Sequence, residues 1–427
     1  MVTLKSFLGM IAAVPFIMAC NQTGQVNATL FPASGSENVN PDTHLVLTFS
    51  ETPVLGDSGM IRVYDAVTDQ VVDSLDLSIP SGPTESRTYG PECDYTKVPY
   101  DYTRTVMPTN KDTRPGTPSG TAEPTPPVYQ LTIIGGFTDA FHFYPVIVRD
   151  SIATIYLHNN MLEYGHTYYV TIDNGVLNLA DGSFQGVTKE DEWIFTTKSD
   201  MPELSDTLIV DATGKGDFNT VQGALDFIPD FNERQTVILV NPGDYEELVY
   251  TRNKWHVKIK GAGMADTKVH YANNEVFNPH PLTVKTNEWP GTFPSRRAAF
   301  MLDNCKDIVI EDMTIATDLK GQAEGLLING ERIALYRVHI IGSGDALQAN
   351  GTIYMESCEL DGGGDTILGR GSLFAYKSNF RNGGGPFSWV RNTAGNHGNV
   401  FVECTFSTED GKQADYGRTK SNHGSAY

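Results

Sequence analysis

The sequence predicts an all-β protein built from two parts, a β-sandwich followed by a right-handed parallel β-helix. Three observations lead to this prediction. Strand-like segments recur at a nearly constant interval in the C-terminal half, and other short strand-like runs, separated by turn residues, fill the N-terminal half. The gaps between the recurring segments leave little room for crossover helices, so we expect successive strands to pair by coiling.

Residues 1–20 indicate a secretory signal. The segment has a lysine near its start, an apolar run and small residues before Cys20, and it is too short for a stable membrane span. Its last four residues, IMAC, resemble a bacterial lipoprotein box, which implies that Cys20 is lipidated and that the protein is anchored to a bacterial outer membrane or cell surface. A cleaved signal with an incidental cysteine is the alternative.

Residues 21–202 contain the runs that predict the β-sandwich. These runs are HLVLTFS, MIRVYDAV, VYQLTII, TIYLHN, YYVTI and EWIFTTK. Short strands with turn residues between them, over the length of one domain, favour two packed sheets. Residues 81–127 are rich in Pro, Thr, Ser and Gly and are predicted to form a long loop or a poorly ordered insertion. The opening FPASGSENVNPDTHLVLTFSE and the closing WIFTT resemble bacterial Ig-like domains, for which we expect a spacer role or carbohydrate binding.

The β-helix is predicted for residues 203–427, after a linker of sequence MPELSD that ends at Asp206. Its repeat is visible as DIVIEDMTI, RIALYRVHI, TIYMESCEL, SLFAYKSNF and NVFVECTFS. Each unit is one short strand followed by Gly, Asn and Asp turns, which is typical of a solenoid.

Asp345 and Asp365 are separated by one repeat interval, so we expect them on neighbouring coils, roughly 4.8 Å apart. Gln322 precedes Asp345 by a similar interval and is predicted to lie on the same stripe. Two carboxylates this close cannot both ionise easily, so the pKa of one should rise and that of the other should fall. One could then donate a proton while the other stays ionised. The alternative is that both are turn residues, because Asp beside Gly is common in tight turns.

Several motifs resemble, in order, those of the pectin methylesterases. The segment from Leu208 to Glu247 is similar to the opening of that family, and further likenesses are KIKGAGMADTKV, GQAEGLLI, SGDAL, GGGDTILG and, more loosely, YGRTK. The resemblance implies a parallel β-helix that hydrolyses methyl esters of galacturonate units in pectin without a metal or other cofactor.

The resemblance also implies a role for each matching residue. Asp365 would be the nucleophile, and Asp345 the general acid that protonates departing methanol and then activates water. Gln322 would donate its amide to the oxyanion, which is typically worth ~3 kcal/mol in other acyl-transfer sites. Arg418 would keep the carboxylate of Asp365 ionised and oriented.

Two departures from the family pattern concern the substrate. The family has a glutamine just before the first aspartate, where this chain has Gly344. A backbone N–H freed by this glycine, or the amide of Gln348, could take over its role; otherwise the rate is expected to be lower. Lys420 stands where the family has a tryptophan, and Trp389 is the candidate replacement that stacks on the sugar, with a half-buried packing role as its alternative.

Composition excludes some partners and leaves other functions open. The net charge of −21 argues against nucleic acid, because phosphate binding needs a basic surface, and it favours methylated pectin over the charged, de-esterified polymer. A lyase would need clustered calcium ligands, and a polygalacturonase would need differently spaced acids. These two enzymes, and a pectin-binding lipoprotein without activity, remain the alternatives. We expect a monomer, and further coils beyond Arg418.

Overall fold

The computed structural model describes residues 26–82, 129–137, 141–278, 286–287, 293–294, 296–390 and 397–417. The predicted lipidation site Cys20, nearly all of the predicted insertion and the predicted catalytic Arg418 lie outside these residues. Within the described part of the chain, no helix is long and apolar enough to cross a membrane.

Two main sheets and two separate strand pairs form the N-terminal part. Its strands are β1 (Thr29–Phe31), β2 (Ser36–Val39), β3 (Leu45–Thr48), β4 (Val54–Leu55), β5 (Met60–Asp65), β6 (Gln70–Asp76), β7 (Leu131–Thr132), β8 (Phe141–His142), β9 (Val146–Arg149), β10 (Ile152–Ile155), β11 (Thr167–Ile172), β12 (Leu177–Asn178) and β13 (Ile194–Thr197). One sheet has the order β1-β3-β10-β9 and the other β2-β13-β11-β5-β6. Their inward side chains form one shared core around Trp193. The predicted sandwich is present, and its Ig-like character stays a prediction.

The C-terminal part is a stack of parallel strands with one short helix at its start. Its elements are β14 (Thr207–Val210), α1 (Val221–Phe227), β15 (Thr236–Val240), β16 (Gly243–Glu246), β17 (Val249–Arg252), β18 (Val257–Lys260), β19 (Thr267–Tyr271), β20 (Thr286–Asn287), β21 (Phe293–Pro294), β22 (Phe300–Lys306), β23 (Val309–Thr317), β24 (Leu326–Ile341), β25 (Leu347–Glu356), β26 (Glu359–Gly362), β27 (Ile367–Gly369), β28 (Ser372–Tyr376), β29 (Asn379–Asn382), β30 (Ser388–Val390), β31 (Asn399–Val402) and β32 (Thr405–Thr408). Seventeen of these strands form one continuous sheet.

Parallel pairing between successive coils confirms the predicted β-helix. Ile310 pairs with Leu335, Leu335 with Met355, Met355 with Ala375, and Ala375 with Phe401. These five positions come from the five segments that the sequence singled out. Their side chains belong to one apolar column inside the coil, because alternate residues of each strand face inward.

One predicted sandwich strand has a different partner. Only two residues of the run VYQLTII form a strand, β7, and it pairs with β8 rather than with either sandwich sheet. The residues that follow, Ile134 and Phe137, pack with Phe141 against Tyr250 and Met301 on the outside of the β-helix. The apolar character of this run therefore serves the contact between the two parts of the chain.

The sandwich also binds the residues that directly precede the helix of the C-terminal part. One carboxylate oxygen of Asp42 accepts hydrogen bonds from the backbone N–H groups of Asn219 and Thr220, at 2.9 and 2.8 Å. A Cβ atom on Gly223 would lie 2.4 Å from that oxygen, so only glycine allows this close approach. These donors directly precede α1, whose own first N–H groups donate to Glu247 and Thr220. The contact with Asp42 therefore fixes one part of the chain on the other.

Buried amides connect the coils at one turn of the β-helix. Asp303, Asn329 and Asn350 stand in register on three successive coils. Asn329 donates to Asp303 at 3.2 Å, and Asn350 donates to Asn329 at 2.8 Å. The side-chain oxygen of Asn350 accepts from the backbone N–H of Arg370 on the next coil at 3.0 Å.

Replacing Asn350 by alanine should destabilise the fold by about 1–3 kcal/mol, because the change leaves a buried amide oxygen and a backbone N–H without their partner. The midpoint of urea unfolding measures this loss. Asn379→Ala is the matched control, since Asn379 is exposed on a neighbouring coil, and it should change the free energy of unfolding by less than about 0.5 kcal/mol. Equal losses of unfolding free energy in the two variants would contradict the proposed contribution of these buried side-chain hydrogen bonds.

Candidate active site

Asp345 and Asp365 each stand just before a strand of the β-helix. Leu347, the first residue of β25, pairs with Ile367, the first residue of β27. Extending this register back by two residues along both strands aligns Asp345 with Asp365. The hydrogen bond from the N–H of Ala346 to the carbonyl of Thr366, at 3.1 Å, continues the ladder through this region. The predicted stacking of the two acids on neighbouring coils is therefore what the strand register produces.

The same register places Glu324, rather than Gln322, beside Asp345. Leu326 pairs with Leu347, and stepping back along both strands aligns Glu324 with Asp345. The spacing of the sequence motifs predicted Gln322 at this position, whereas the hydrogen bonds between the strands align Glu324 with Asp345. Gln322 is exposed, and its connection to Asp345 passes through another side chain, Arg297.

Glycines allow the turns that carry the aspartates to approach closely. A Cβ atom on Gly344 would lie 2.6 Å from the carbonyl oxygen of Gly321 and 3.0 Å from the Cα atom of Gln322. A Cβ atom on Gly364 would lie 2.5 Å from the carbonyl oxygen of Gly344. The position before Asp345 therefore has no room for the glutamine of the family pattern, and this explains the departure seen in the sequence.

Asn382 holds the turn around Asp365 from the following coil. Its amide nitrogen donates to the carbonyl of Gly364 at 2.6 Å and to the hydroxyl of Thr366 at 2.8 Å. Its side-chain oxygen accepts from the N–H of Gly384 at 2.6 Å. Because these contacts hold both neighbours of Asp365, the position of its backbone is set by a fully buried side chain.

Asp345 is a buried acid with an unusual titration. Burial, together with the negative charges of Glu324 and Asp365, raises its pKa to about 7, although Arg297 and a hydrogen bond from the backbone N–H of Asp365 oppose the rise. This is the direction expected for the member of the pair that carries a proton. At neutral pH, Asp345 can therefore both donate and accept a proton.

Arg297 is the cation of this site. Its Nε and Nη2 atoms bind both oxygens of Glu324, with a shortest contact of 2.6 Å. Nη1 donates to Glu275 at 3.1 Å and to the side-chain oxygen of Gln322 at 2.8 Å. Nη2 also donates to Asp345 at 3.2 Å. Burial disfavours its charge, yet the surrounding carboxylates hold the pKa of Arg297 above its ordinary value.

Arg297, Glu324 and Glu275 are site residues that the sequence motifs do not include. Only Glu324 follows the repeat interval, because the number of residues between Glu324 and Asp345 equals the number between the paired residues Leu326 and Leu347. Arg297 and Glu275 come from outside the recurring segments, so no periodic pattern marks them.

Gln348 and Trp389 lie on the outer face of the same sheet. Gln348 pairs with Leu368, and Leu368 pairs with Trp389. Leu347 and Ala349, on either side of Gln348, belong to the interior core, so the side chain of Gln348 points outward. Gln348 is only 3% exposed, and Trp389 is half-buried. The proposed oxyanion role of Gln348 and the sugar-stacking role of Trp389 stay predictions.

The described residues contain one group of acids and histidine close enough to hold a metal ion, formed by Glu246, His270 and Asp318. Arg149 from the sandwich forms ion pairs with both acids, and Nδ1 of His270 lies 2.6 Å from Asp318. Arg149 thus pairs with both carboxylates, and the group forms an ion-pair cluster between the two parts of the chain.

Taken together, the site offers a protonatable acid, Asp345, and a second carboxylate, Asp365, one coil away. An amide side chain, Gln322, stands at the same edge. A nucleophilic carboxylate beside a proton donor suits acyl transfer, and an amide donor can stabilise the anion that such a reaction forms.

Part of this chain is similar to known proteins. Residues 207–383 match the family model described as Pectinesterase. Pectinesterase QRT1 of Arabidopsis thaliana is 27% identical over 194 residues, which are 43% of this chain and 50% of that protein. Pectinesterase 31 of the same plant is 28% identical over 165 residues, 38% of this chain and 51% of that protein. The chain thus spans about half the length of the curated relatives it matches.

Solved structures with a similar chain path include two pectin methylesterases. The enzyme PemA from Erwinia chrysanthemi is 17% identical, with a TM-score of 0.41 over 52% of this chain and 73% of that chain. The enzyme from carrot is 18% identical, with a TM-score of 0.40 over 49% of this chain and 65% of that chain. The match to the family model includes the coils that carry Asp345 and Asp365, so this part of the chain is similar to the pectinesterases.

Proposed function

We propose that this protein is a carbohydrate esterase that hydrolyses the methyl esters of galacturonate units in pectin. The observation that carries the proposal is the pair of buried aspartates on adjacent coils, one of which has a pKa raised to about 7. The match of residues 207–383 to the pectinesterase family supports the choice of substrate.

In the proposed reaction, the ionised carboxylate of Asp365 attacks the carbonyl carbon of the methyl ester. The resulting tetrahedral oxyanion accepts a hydrogen bond from the amide of Gln322. Collapse of this intermediate breaks the bond to the methoxy group, which takes the proton of Asp345 and leaves as methanol. The galacturonate carbonyl is then joined to Asp365 as an anhydride.

Water completes the cycle. Asp345, now ionised, takes a proton from a water molecule, whose oxygen attacks the carbonyl carbon of the anhydride. The products are the free galacturonic acid, which releases the second proton of the water to solvent, and the regenerated carboxylate of Asp365, while Asp345 is protonated again. A group whose pKa lies near the working pH suits both halves of this cycle, because it must give up and regain one proton per turnover.

Two further features are proposed for the whole protein. The lipid at Cys20 would tether the enzyme to a membrane facing the exterior or periplasm. The sandwich would then carry the β-helix as one rigid unit, because Asp42 and the cluster around Phe137 dock the two parts together. Methylated stretches of pectin would approach the acidic protein more easily than de-esterified ones.

Asp365→Asn should lower the rate of methanol release from methylated pectin by at least about 10⁴-fold, because the amide has nearly the same shape and cannot act as the nucleophile. A coupled assay for methanol measures this rate. Asp361→Asn is the matched control on the same coil, since Asp361 contacts His339 and takes no part in the proposed reaction. Unchanged methanol release in Asp365→Asn would remove the nucleophile assignment.

Product analysis in the same experiment separates the alternatives. Shortened saturated oligosaccharides would indicate a polygalacturonase, and unsaturated ones a lyase. A folded protein that binds pectin and releases neither methanol nor oligosaccharides would indicate the binding lipoprotein.

The pH dependence of kcat/KM should show a loss of activity as the pH rises through about 7. Asp345 must carry a proton to release methanol, and its pKa is raised to about 7 in the folded protein, so the active form disappears above that pH. Initial rates of methanol release, corrected for spontaneous ester hydrolysis, give the profile. A rate that stays constant from pH 6 to pH 9 would contradict the role of Asp345 as the acid.

A further inference from the structure

Arg297 has all of its hydrogen-bond donors engaged inside the protein. A guanidinium carries five N–H groups and no acceptor, and those of Arg297 reach Glu324, Glu275, Gln322 and Asp345. It therefore has no spare donor for a substrate. Its effect on a reaction at this site must pass through the side chains that it holds.

The backbone around Arg297 is fixed from the neighbouring coil. The side-chain nitrogen of Asn273 donates to the carbonyl of Arg296 at 2.8 Å and to the carbonyl of Ala298 at 2.7 Å, and Asn273 is fully buried. These two contacts bracket Arg297. The guanidinium is thus anchored at its base by Asn273 and at its tip by the buried Glu324.

The contact with Arg297 decides which way the amide of Gln322 points. Because Arg297 has only donors, the amide must present its oxygen to the guanidinium, as the 2.8 Å contact shows. The amide nitrogen is then directed away from Arg297, with its two N–H groups available. The backbone carbonyl of Gln322 is held as well, by the N–H of Glu275 at 2.9 Å.

The charges around Asp345 do not balance. Arg297 supplies one positive charge, and Glu324 and Glu275 supply two negative charges before either aspartate is counted. The side chains of Glu324, Glu275 and Asp345 are 0%, 8% and 11% exposed, so water screens these charges weakly. Removing a negatively charged neighbour should therefore lower the pKa of Asp345, and removing a positively charged neighbour should raise it.

We propose that Arg297 is a positioning residue for the esterase reaction: it turns the amide N–H groups of Gln322 toward the substrate oxyanion and fixes the carboxyl group of Asp345 that serves the same ester. This inference rests on the proposed function. It also assigns a role to Glu324 and Glu275, which hold the guanidinium in place.

The test uses the full chain with Arg297→Gln, Arg297→Lys and Glu324→Gln. The matched control is Arg332→Gln, because Arg332 makes a similar forked contact between coils, with both oxygens of Asp307 at 2.6 Å, on an exposed surface. The measurements are kcat, KM and the pH profile of methanol release, with urea unfolding as a check on stability.

Arg297→Gln should lower kcat by about 100-fold, the loss typical of a reacting group displaced by about 1 Å, while KM stays near the wild-type value because Arg297 does not touch the substrate. The alkaline limb of its pH profile should move upward, since the positive charge that favours ionised Asp345 is lost. Glu324→Gln should move the limb downward, because a negative charge is lost. Arg297→Lys should return the alkaline limb of the pH profile to its wild-type position, because the positive charge is kept. Its kcat should stay low, since a point charge cannot orient the amide of Gln322.

Arg332→Gln should leave kcat and the pH profile unchanged. The inference is overturned if Arg297→Gln behaves like this control, or if Arg297→Gln and Glu324→Gln move the limb in the same direction. Equal loss of stability in the Arg297 and Arg332 variants with no movement of the limb would indicate a structural ion pair only.

Failure of the proposed function would be visible separately, as a folded wild-type protein that releases no methanol. The carboxyl carbon of Asp345 can then be titrated by NMR in the wild type and in the same variants. A titration midpoint that rises in Arg297→Gln and falls in Glu324→Gln supports the positioning of Asp345 by Arg297. A midpoint that does not respond in this way overturns it.

Discussion

The hydrogen-bonded register between successive coils is the constraint on which the site depends. Parallel strands place equivalent residues about one strand spacing apart, and the pairing of Leu326, Leu347 and Ile367 fixes which residues are equivalent. Glu324, Asp345 and Asp365 become neighbours for this reason alone. A slip of one residue in a single coil would turn alternate side chains from the interior to the surface, so the apolar column inside the coil also secures the alignment of the acids.

The site concentrates negative charge in a place that water barely reaches. Such an arrangement is costly unless the charges are paired or one group stays neutral. Arg297 pairs with Glu324 and Glu275. Burial and the excess of negative charge that remains raise the pKa of Asp345 to about 7, which favours its neutral form. The raised pKa of Asp345, which suits acid and base catalysis, is therefore a consequence of how the acids are buried and paired. The excess of negative charge at the site is part of the function that we propose.

The sandwich takes part in the architecture beyond a spacer role. Phe137 and Phe141 cover the outer face of the lower coils at Tyr250 and Met301, and Asp42 accepts hydrogen bonds from the two backbone N–H groups just before α1. The lower coils of the β-helix would otherwise expose an apolar surface.

The sequence by itself determined the all-β class, the coiling of the five repeat segments and the stacking of Asp345 on Asp365, because a period is a local property that repeats along the chain. It also identified five of the nine strands of the two sandwich sheets from their short apolar runs. Only the tertiary structure decided that β7 leaves the sandwich, that Glu324 rather than Gln322 aligns with the aspartates, and that Gly344 has no room for a side chain. These outcomes depend on contacts between coils and between the two parts of the chain, and Arg297 and Glu275 enter the site from segments without any period.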